Sequence, residues 1–461
     1  MLASRRRFLG SAAAVTATLV LGGRRARAQA AGSQPLFISI EAAGAWDPTF
    51  LVDPVHSNAN VTPWAARDIL SSGNLTWAPA RLPGEGTDVA ATYAFEGEDF
   101  FLRWRDAITI FRGVDNQTVS HDVGPRVAFS GSNREGHPVL ASLAASTAVA
   151  RDGVTPPLAF ITTGGYAESA GLVATSRAGN PTPLLRLTMP NSSRPATPSA
   201  AQQFHTDATH SRLRAWREAR DQRLRASSSQ PRLRSFLDKV SDARGADTTA
   251  AFDALAPAMA EAEAVSGARG SLIPAAAAVL GAMRNGACSA AHIDVGGFDT
   301  HSDHDAAADG QRFALRRLLE GVDFIARQVE ATPSLAQRGV VVLVGSDFGR
   351  TFYNGTGPTR GKDHWPITAM MVLALGSAQG LLGGNRVVGG TVAAGGNGMT
   401  ARKVLVRNGA VATVAANDPN GLTLTPALIH QTLHAKLAID ETLLRRFALP
   451  GLPVQPLPFF G

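Results

Sequence analysis

Acids, histidines and hydroxyl residues in this sequence concentrate in a few short segments. The chain has a single cysteine, Cys288, so a disulfide framework and a cysteine-based zinc site are both excluded. Carboxylate and imidazole ligands without thiolates suit zinc, manganese or a similar divalent ion better than calcium, which prefers oxygen ligands alone. One or two such ions can polarise a phosphoryl or sulfuryl oxygen. The candidate ligands are Asp47, Asp299, His301, His304, Asp347, Asp363 and His364.

Three residues in these segments have side chains suited to catalysis. Ser120 shares a segment with Thr118 and His121 and could attack an ester in line, although a serine before a helix is usually an N-cap. Arg350 and Lys362 could neutralise charge on the equatorial oxygens of the ester. The sequence therefore predicts a nucleophile and two cations beside the metal ligands.

Short apolar runs precede most of these segments and predict the strands that position them. The runs are near-continuous rather than alternating, which is typical of strands buried on both faces of a mostly parallel sheet between helices. In such α/β sheets the carboxyl ends of the strands face a common crevice. Four of the runs are followed by candidate residues, so four loops are expected to meet there. The runs are 36–41, 107–111, 158–163, 290–295, 340–344 and 367–375.

Helical patterns separate the runs, at about 201–226, 231–264, 270–286, 306–332 and 425–438. We predict one large domain over 29–461, with a helical insertion at about 200–265 and a small β excursion at about 383–420. The last helix carries His430 and His434 at i, i+4 spacing, as in a metal pair, but without an accompanying Glu. We therefore expect these two histidines on an exposed face.

The first 28 residues have the three parts of a secretory signal. A basic start at Arg5–Arg7 precedes an apolar stretch from about Ser11 to Gly23, and a small-residue cleavage pattern follows at Ala26–Ala28. The apolar stretch is too short to span a bilayer of about 30 Å. Because Ser4–Leu9 match a twin-arginine signal, we expect the twin-arginine translocase to export the protein to the periplasm or beyond. No stable membrane span is expected.

This leader dominates the charge of the chain. The sequence has 44 Lys and Arg against 37 Asp and Glu, a formal net charge of +7. The leader holds six Arg and no acid, so its removal leaves 38 basic against 37 acidic residues. Eight further Arg lie between Arg212 and Arg234, which we interpret as a solvated helical face; the alternative is a patch that attracts an anionic substrate or polymer. Export and the near-neutral mature chain argue against nucleic-acid binding.

Three motifs and their order resemble a known family. A strand with a Gly/Asp loop, then GGFDTH, then SDFGRT with GKDHW, resembles an exported bacterial family, domain of unknown function fifteen-oh-one, which is similar to the alkaline phosphatase and sulfatase superfamily. The resemblance covers about residues 36–440. It implies a three-layer α/β/α sandwich, alkaline-phosphatase-like, with a metal-dependent ester-hydrolase site.

The resemblance also assigns roles to individual residues. It implies metal-binding roles for Asp47, Asp347 and His364, and a nucleophile at Ser120. Asp299 with His301 or His304 would complete one metal site. The sequence departs from the superfamily at Phe348, where a metal-binding histidine is usual, and it lacks the motif of formylglycine sulfatases.

Two functions are consistent with these residues. The first is an exported metal-dependent hydrolase of phosphate or sulfate esters, acting on a small-molecule or polymer substrate with one or two divalent ions. The second, suggested by Phe348 and the weak evidence for the nucleophile, is a non-catalytic binding protein that retains the fold.

Overall fold

An eight-stranded sheet forms the centre of the protein in a computed structural model. The structure describes residues 34–55, 58–79, 97–153, 156, 158–177, 191, 203–243, 272–394 and 398–460, so the predicted leader lies outside the described residues. The strands are β1 Leu36–Ala42, β2 Leu70–Ser72, β3 Leu75–Trp77, β4 Ile108–Asp115, β5 Phe160–Thr162, β6 Thr175–Arg177, β7 Ala290–Val295, β8 Val340–Ser346, β9 Gly349–Asn354, β10 Gly361–Trp365, β11 Ile367–Leu375, β12 Arg386–Gly389, β13 Thr391–Ala394, β14 Gly398–Ala401, β15 Lys403–Arg407 and β16 Ala410–Val414.

The central sheet is mostly parallel, as predicted, with the strand order β12-β4-β11-β8-β1-β7-β5-β6. Strand β11 runs antiparallel to both of its neighbours, and the remaining pairs are parallel. All six predicted strands are present. Because β4, β8, β1 and β7 run in the same direction, the loops that follow them emerge at one edge of the sheet.

Helices cover both faces of the sheet. The helices of the described residues are α1 Gly97–Trp104, α2 Gly124–Ser130, α3 Leu140–Asp152, α4 Asp207–Ser227, α5 Pro231–Ala243, α6 Leu272–Arg284, α7 Gln311–Ala331, α8 Pro333–Arg338, α9 Gln379–Leu382, α10 Pro426–Lys436 and α11 Glu441–Arg446. Successive side chains of a strand point to opposite faces. Ile38 and Ile40 of β1 therefore pack with α6 and α7, while Phe37 packs with α2, α3 and α10. The predicted three-layer α/β/α arrangement is confirmed.

Burial explains why these runs form the centre of the sheet. Every residue of β1, β8 and β11 is buried. Burial of one Ile or Val side chain stabilises the fold by about 1.5–3 kcal/mol. A polar substitution within these strands would therefore destabilise the sheet that positions the loops.

Two segments depart from this layered core. Residues 203–243 of the predicted helical insertion form α4 and α5, and residues 244–265 of it lie outside the described residues. In the predicted β excursion, β12 joins the central sheet, whereas β13 with β14 and β15 with β16 form separate antiparallel pairs. Within the described ranges, no helix is both long and apolar enough to cross a membrane.

Candidate metal centre

Four side chains from three separate segments meet at the carboxyl edge of the sheet. His121 lies between β4 and α2, Asp299 and His301 lie in the loop after β7, and His364 lies on β10. The Nε2 atom of His364 is 3.2 Å from that of His121 and 2.9 Å from that of His301. Oδ1 of Asp299 is 3.2 Å from Nε2 of His301 and 3.8–3.9 Å from the other two. Nε2 of His364 and Oδ1 of Asp299 thus each lie within 4 Å of the Nε2 atoms of both His121 and His301.

The outward-facing nitrogens of these imidazoles are held by oxygen atoms. Nδ1 of His121 is 2.6 Å from Oδ2 of Asp347, and Nδ1 of His364 is 3.0 Å from the carbonyl oxygen of Val119. Nδ1 of His301 lies 3.7 Å from Oδ1 of Asp363. A carbonyl oxygen can only accept, so Nδ1 of His364 carries a proton, and the carboxylate of Asp347 favours the same tautomer in His121. In the neutral rings, both Nε2 atoms then present lone pairs to the centre.

Lone pairs that face each other at these distances repel unless a cation lies among them. A proton on one ring would serve, but the pKa of His364 lies below its ordinary value, because partial burial and the nearby Arg350 guanidinium disfavour the charged ring. A divalent ion satisfies all of the nitrogens together. Ligands about 2.0–2.1 Å from a tetrahedral zinc ion lie roughly 3.3 Å from one another. The five separations given above, from 2.9 to 3.9 Å, bracket that value, so His364 and Asp299 are spaced to share an ion with His121 or with His301.

Two glycines allow the loops to approach each other this closely. Gly44, after β1, has a φ of +108°, and its N–H donates to the carboxylate of Asp347. A Cβ atom at Gly44 would collide with the backbone of Asp299, and one at Gly124 would collide with the backbone of Asp347. Side chains at these positions would therefore displace the loops that carry the ligands.

Arg350 holds these loops together from beneath. It is completely buried, and its guanidinium donates to the carbonyl oxygens of Gly44, Ala45, Phe298 and Lys362. The same group donates to Oδ1 of Asp299 at 2.6 Å. The pKa of Asp299 is lowered: burial alone would raise it, but the hydrogen bond and charge of Arg350 outweigh that effect. The geometry thus gives Arg350 a positioning role, rather than the predicted contact with an ester.

Asp47, His304 and Lys362 form a second, buried cluster. Oδ2 of Asp47 accepts from Nζ of Lys362 and lies 3.0 Å from Nε2 of His304. All three residues have no exposed surface. The pKa of Asp47 is well below its ordinary value, because the charge of Lys362 and hydrogen bonds from both partners outweigh the effect of burial.

The ammonium group of Lys362 also donates to the carbonyl oxygen of Val61 and lies 4.7 Å and 4.8 Å from the ring centres of Phe50 and Tyr353. A cation therefore already neutralises the carboxylate that the resemblance implied as a metal ligand. The structure groups Asp47, His304 and Lys362 with one another rather than with the four converging side chains.

His121 is the site residue that sequence reasoning did not single out. Phe348, in the place of the expected histidine, is buried, with its ring centre 4.8 Å from that of His121 and 4.5 Å from that of His364. The imidazole of His121, from the loop after β4, thus reaches the centre while packing against the ring of Phe348. Its position in a strand-end segment with Ser120 was the available signal, but spacing alone could not show which of the two side chains points inward.

The remaining predicted residues take outer positions. Ser120 is exposed, and its Oγ accepts a hydrogen bond from the N–H of Asp122 just before α2. Asp347 and Asp363 lie behind the imidazoles of His121 and His301. Exposed and half-exposed residues form two groups that could each hold an ion. The first is His121 with Asp299 and His364, and the second is His301 with His364 and Asp363, in which Asp363 would be a ligand rather than an outer partner.

The prediction of an exposed face for His430 and His434 is wrong. Both are buried, because α10 packs against α2 and the last residues of the chain cover the same apolar cluster. Nε2 of His430 is 2.8 Å from the carbonyl oxygen of Ala128. An i, i+4 pair on a helix does not by itself tell which way the helix faces.

Comparisons with known proteins bear on the family of the chain. No curated protein matches it. Among solved structures, two magnesium-bound mutants of TAB5 alkaline phosphatase match at 8% and 9% sequence identity, with TM-scores of 0.30 and 0.29. Each match covers 77% of this chain and 94% of the other, and scores this low carry no argument about the site. A family model described as a protein of unknown function, DUF1501, matches residues 37–440. The chain therefore belongs to the DUF1501 family, as its motifs predict.

Proposed function

We propose that the protein binds one divalent ion, zinc or manganese, through His121, Asp299, His301 and His364, and hydrolyses phosphate or sulfate esters at that ion. The observation that carries the proposal is that Nε2 of His364 and Oδ1 of Asp299 each lie 2.9–3.9 Å from the Nε2 atoms of both His121 and His301. Nitrogen and oxygen ligands in this number suit zinc or manganese better than calcium. When bound, such an ion supplies a Lewis acid that polarises an ester oxygen.

The proposal requires one ion rather than two. The acid that would contribute to a second site, Asp47, is paired with the ammonium of Lys362 in the interior. A second divalent ion would have to displace that ammonium and the bonds that it makes to buried oxygens. The Asp47–Lys362 pair is therefore proposed to stabilise the loop after β1, close to the ion but outside its ligand shell.

Ser120 is the proposed nucleophile. It is exposed, adjoins His121 in the chain, and its hydroxyl group keeps its proton available while the oxygen accepts from Asp122. The twin-arginine leader motivates a further part of the proposal, that the protein works in the periplasm or outside the cell after export through the twin-arginine translocase.

Metal analysis combined with an ester screen tests this function. The purified full chain should contain about one equivalent of zinc or manganese, and His301→Ala should remove it, whereas His205→Ala, which removes an exposed histidine of the same type, should not. Phosphate monoesters, phosphate diesters and sulfate esters would then be assayed with the loaded protein and with Ser120→Ala. Absence of both stoichiometric metal and any turnover contradicts the proposal.

One observation favours a second function, a metal-binding protein without catalysis. Arg350 and Lys362, the predicted catalytic cations, are buried and donate to protein oxygens. In that case the ion would bind with the same ligands, none of the esters would be hydrolysed, and Ser120→Ala would change neither binding nor stability.

A further inference from the structure

We infer that the substrate is a singly charged ester, a phosphate diester or a sulfate monoester, rather than a doubly charged phosphate monoester. This inference rests on the proposed function. It comes from the summed charge of the groups at the centre, which is the same for any divalent ion.

The charged groups of the centre balance without a substrate. Asp299, Asp347 and Asp363 lie at or directly behind the imidazoles, and Arg350 contacts the first of them. Three carboxylates, one guanidinium and one divalent ion sum to zero when the three rings are neutral. The neighbouring Asp47–Lys362 pair is also balanced. Among the residues that the structure describes, no excess positive charge at the centre therefore remains to offset a dianion.

The guanidinium of Arg350 is also not available to an ester. Within the described ranges, Asp299 forms an ion pair with Arg350, and Asp347 and Asp363 form none with a Lys or Arg. The donors of Arg350 are directed at four carbonyl oxygens and Asp299. Asp299 and Asp363 are instead the exposed members, with 51% and 66% of their side-chain surface accessible. An ester that approaches the ion therefore comes close to the carboxylates of Asp299 and Asp363. Like charges repel at short range in a partly hydrated site, so a second negative charge on the ester is disfavoured.

The reaction of a singly charged ester also explains how product would leave. The Ser120 oxygen bonds to phosphorus or sulfur as the bond to the leaving oxygen breaks, and the hydroxyl proton goes to that leaving oxygen. A water oxygen then displaces the Ser120 oxygen; one water proton returns to Ser120 and the other goes to solvent. Both substrate kinds thereby yield a product that carries one more negative charge, a phosphate monoester or sulfate. A centre without excess positive charge holds that dianion weakly, so weak inhibition by the product follows from the same charge balance.

Binding and selectivity, measured on the zinc-loaded full chain, test the inference. At pH 8, inorganic phosphate should bind at least ten-fold more weakly than dimethyl phosphate or methyl sulfate in calorimetric titrations. The kcat/KM for bis(4-nitrophenyl) phosphate or 4-nitrophenyl sulfate should exceed that for 4-nitrophenyl phosphate by at least ten-fold. Comparison of kcat/KM for the diester with that for the sulfate ester shows which of these two singly charged classes is the substrate.

Asp363 provides a matched pair of variants. Asp363→Asn removes one negative charge while keeping an oxygen for the N–H of His364, and Asp363→Glu keeps the charge. The activity ratio of monoester to diester should rise about five-fold in Asp363→Asn and stay within two-fold in Asp363→Glu. Because the variants are compared by a ratio, a general loss of activity does not affect the result.

The outcomes separate this inference from the proposed function. If the monoester is the best substrate, or if inorganic phosphate binds more tightly than dimethyl phosphate and methyl sulfate, the inference is overturned while the hydrolase function stands. If none of the esters is turned over, the hydrolase function fails, and the binding titrations still decide whether the centre selects singly charged anions.

Discussion

The Nε2 atoms of His301 and His364 lie 2.9 Å apart, while Nδ1 of His364 donates to the carbonyl oxygen of Val119. The backbone thus fixes the tautomer of one ring and directs its lone pair at the other. With His121 and Asp299 at similar distances, the folded chain concentrates electron-rich atoms at one point before any ion binds.

Loss of His121 should weaken zinc binding by at least about 100-fold, because the variant removes one of four ligands, whereas loss of an outer partner typically costs 10–100-fold. The variant is His121→Ala, measured by competition with a chromogenic chelator. Ser120→Ala, at the neighbouring position, is the control and should bind zinc like the wild type. Equal affinities for the two variants would show that His121 is not a ligand.

Asp347→Asn should weaken zinc binding by about 10–100-fold without removing a ligand. Asp347 orients the ring of His121 and accepts from the backbone N–H of Gly44, and an amide is a weaker acceptor at both. The same chelator competition measures the effect. Asn116→Ala is a useful companion, because Asn116 donates to the backbone oxygen of Asp347 and not to its carboxylate; a loss in Asn116→Ala as large as in Asp347→Asn would locate the effect in the loop rather than in the carboxylate.

The buried Asp47–Lys362 pair should behave as a stability element. Asp47→Asn or Lys362→Met should each lower the free energy of unfolding by about 3–5 kcal/mol, because each leaves the other charge buried without its partner. The double variant Asp47→Asn/Lys362→Met should lose less than the sum of the two single variants. Urea unfolding curves measure these values. Additive losses in the double variant would contradict a direct charge pair.

Stability should fall as the pH drops from about 6.5 to 4, because of two histidines far from the centre. Burial lowers the pKa of His430 to about 4 and that of His434 to about 3. Between these values and the ordinary pKa near 6.5, the unfolded chain binds protons that the folded chain does not, so stability is lost as the pH falls. For His430 alone, the loss is about 3 kcal/mol at pH 4.

Urea unfolding at pH 7 and pH 4.5 checks this dependence. His434→Met should fill the same apolar space without a titrating group, and the loss of stability between the two pH values should shrink by about 2 kcal/mol. His205→Ala, at an exposed position, should leave the pH dependence unchanged. A pH dependence that persists in full in His434→Met would assign the acid sensitivity to other groups.

Much of the fold could be predicted from the sequence, because continuous apolar runs such as that of β8 are typical of strands buried on both faces. The same reasoning placed the candidate residues at one edge of the sheet. It could not tell which candidates belong to the metal centre and which to the buried cluster, because the sequence of a loop does not show which side chains turn inward. Lys362 and His364 are separated by one residue, yet the first enters the interior and the second reaches the centre.

The faces of the last helix could not be predicted for a related reason. The residues that cover α10 include Phe459 and Phe460 at the end of the chain, a segment without a regular pattern. Burial of His430 and His434 therefore depends on the contact of α10 with α2, a helix about 300 residues earlier in the chain. Patterns within one helix contain no information about such a contact.

The candidate ligands come from segments separated by long stretches of chain: His364 is 243 residues from His121 and 63 residues from His301. A short fragment of the polypeptide could offer only part of the set. The ion is therefore expected to bind late in folding, after the sheet has assembled. Once bound, it should slow the separation of the loops that carry its ligands. Metal content would then serve as a gauge of how many molecules in a preparation have completed folding.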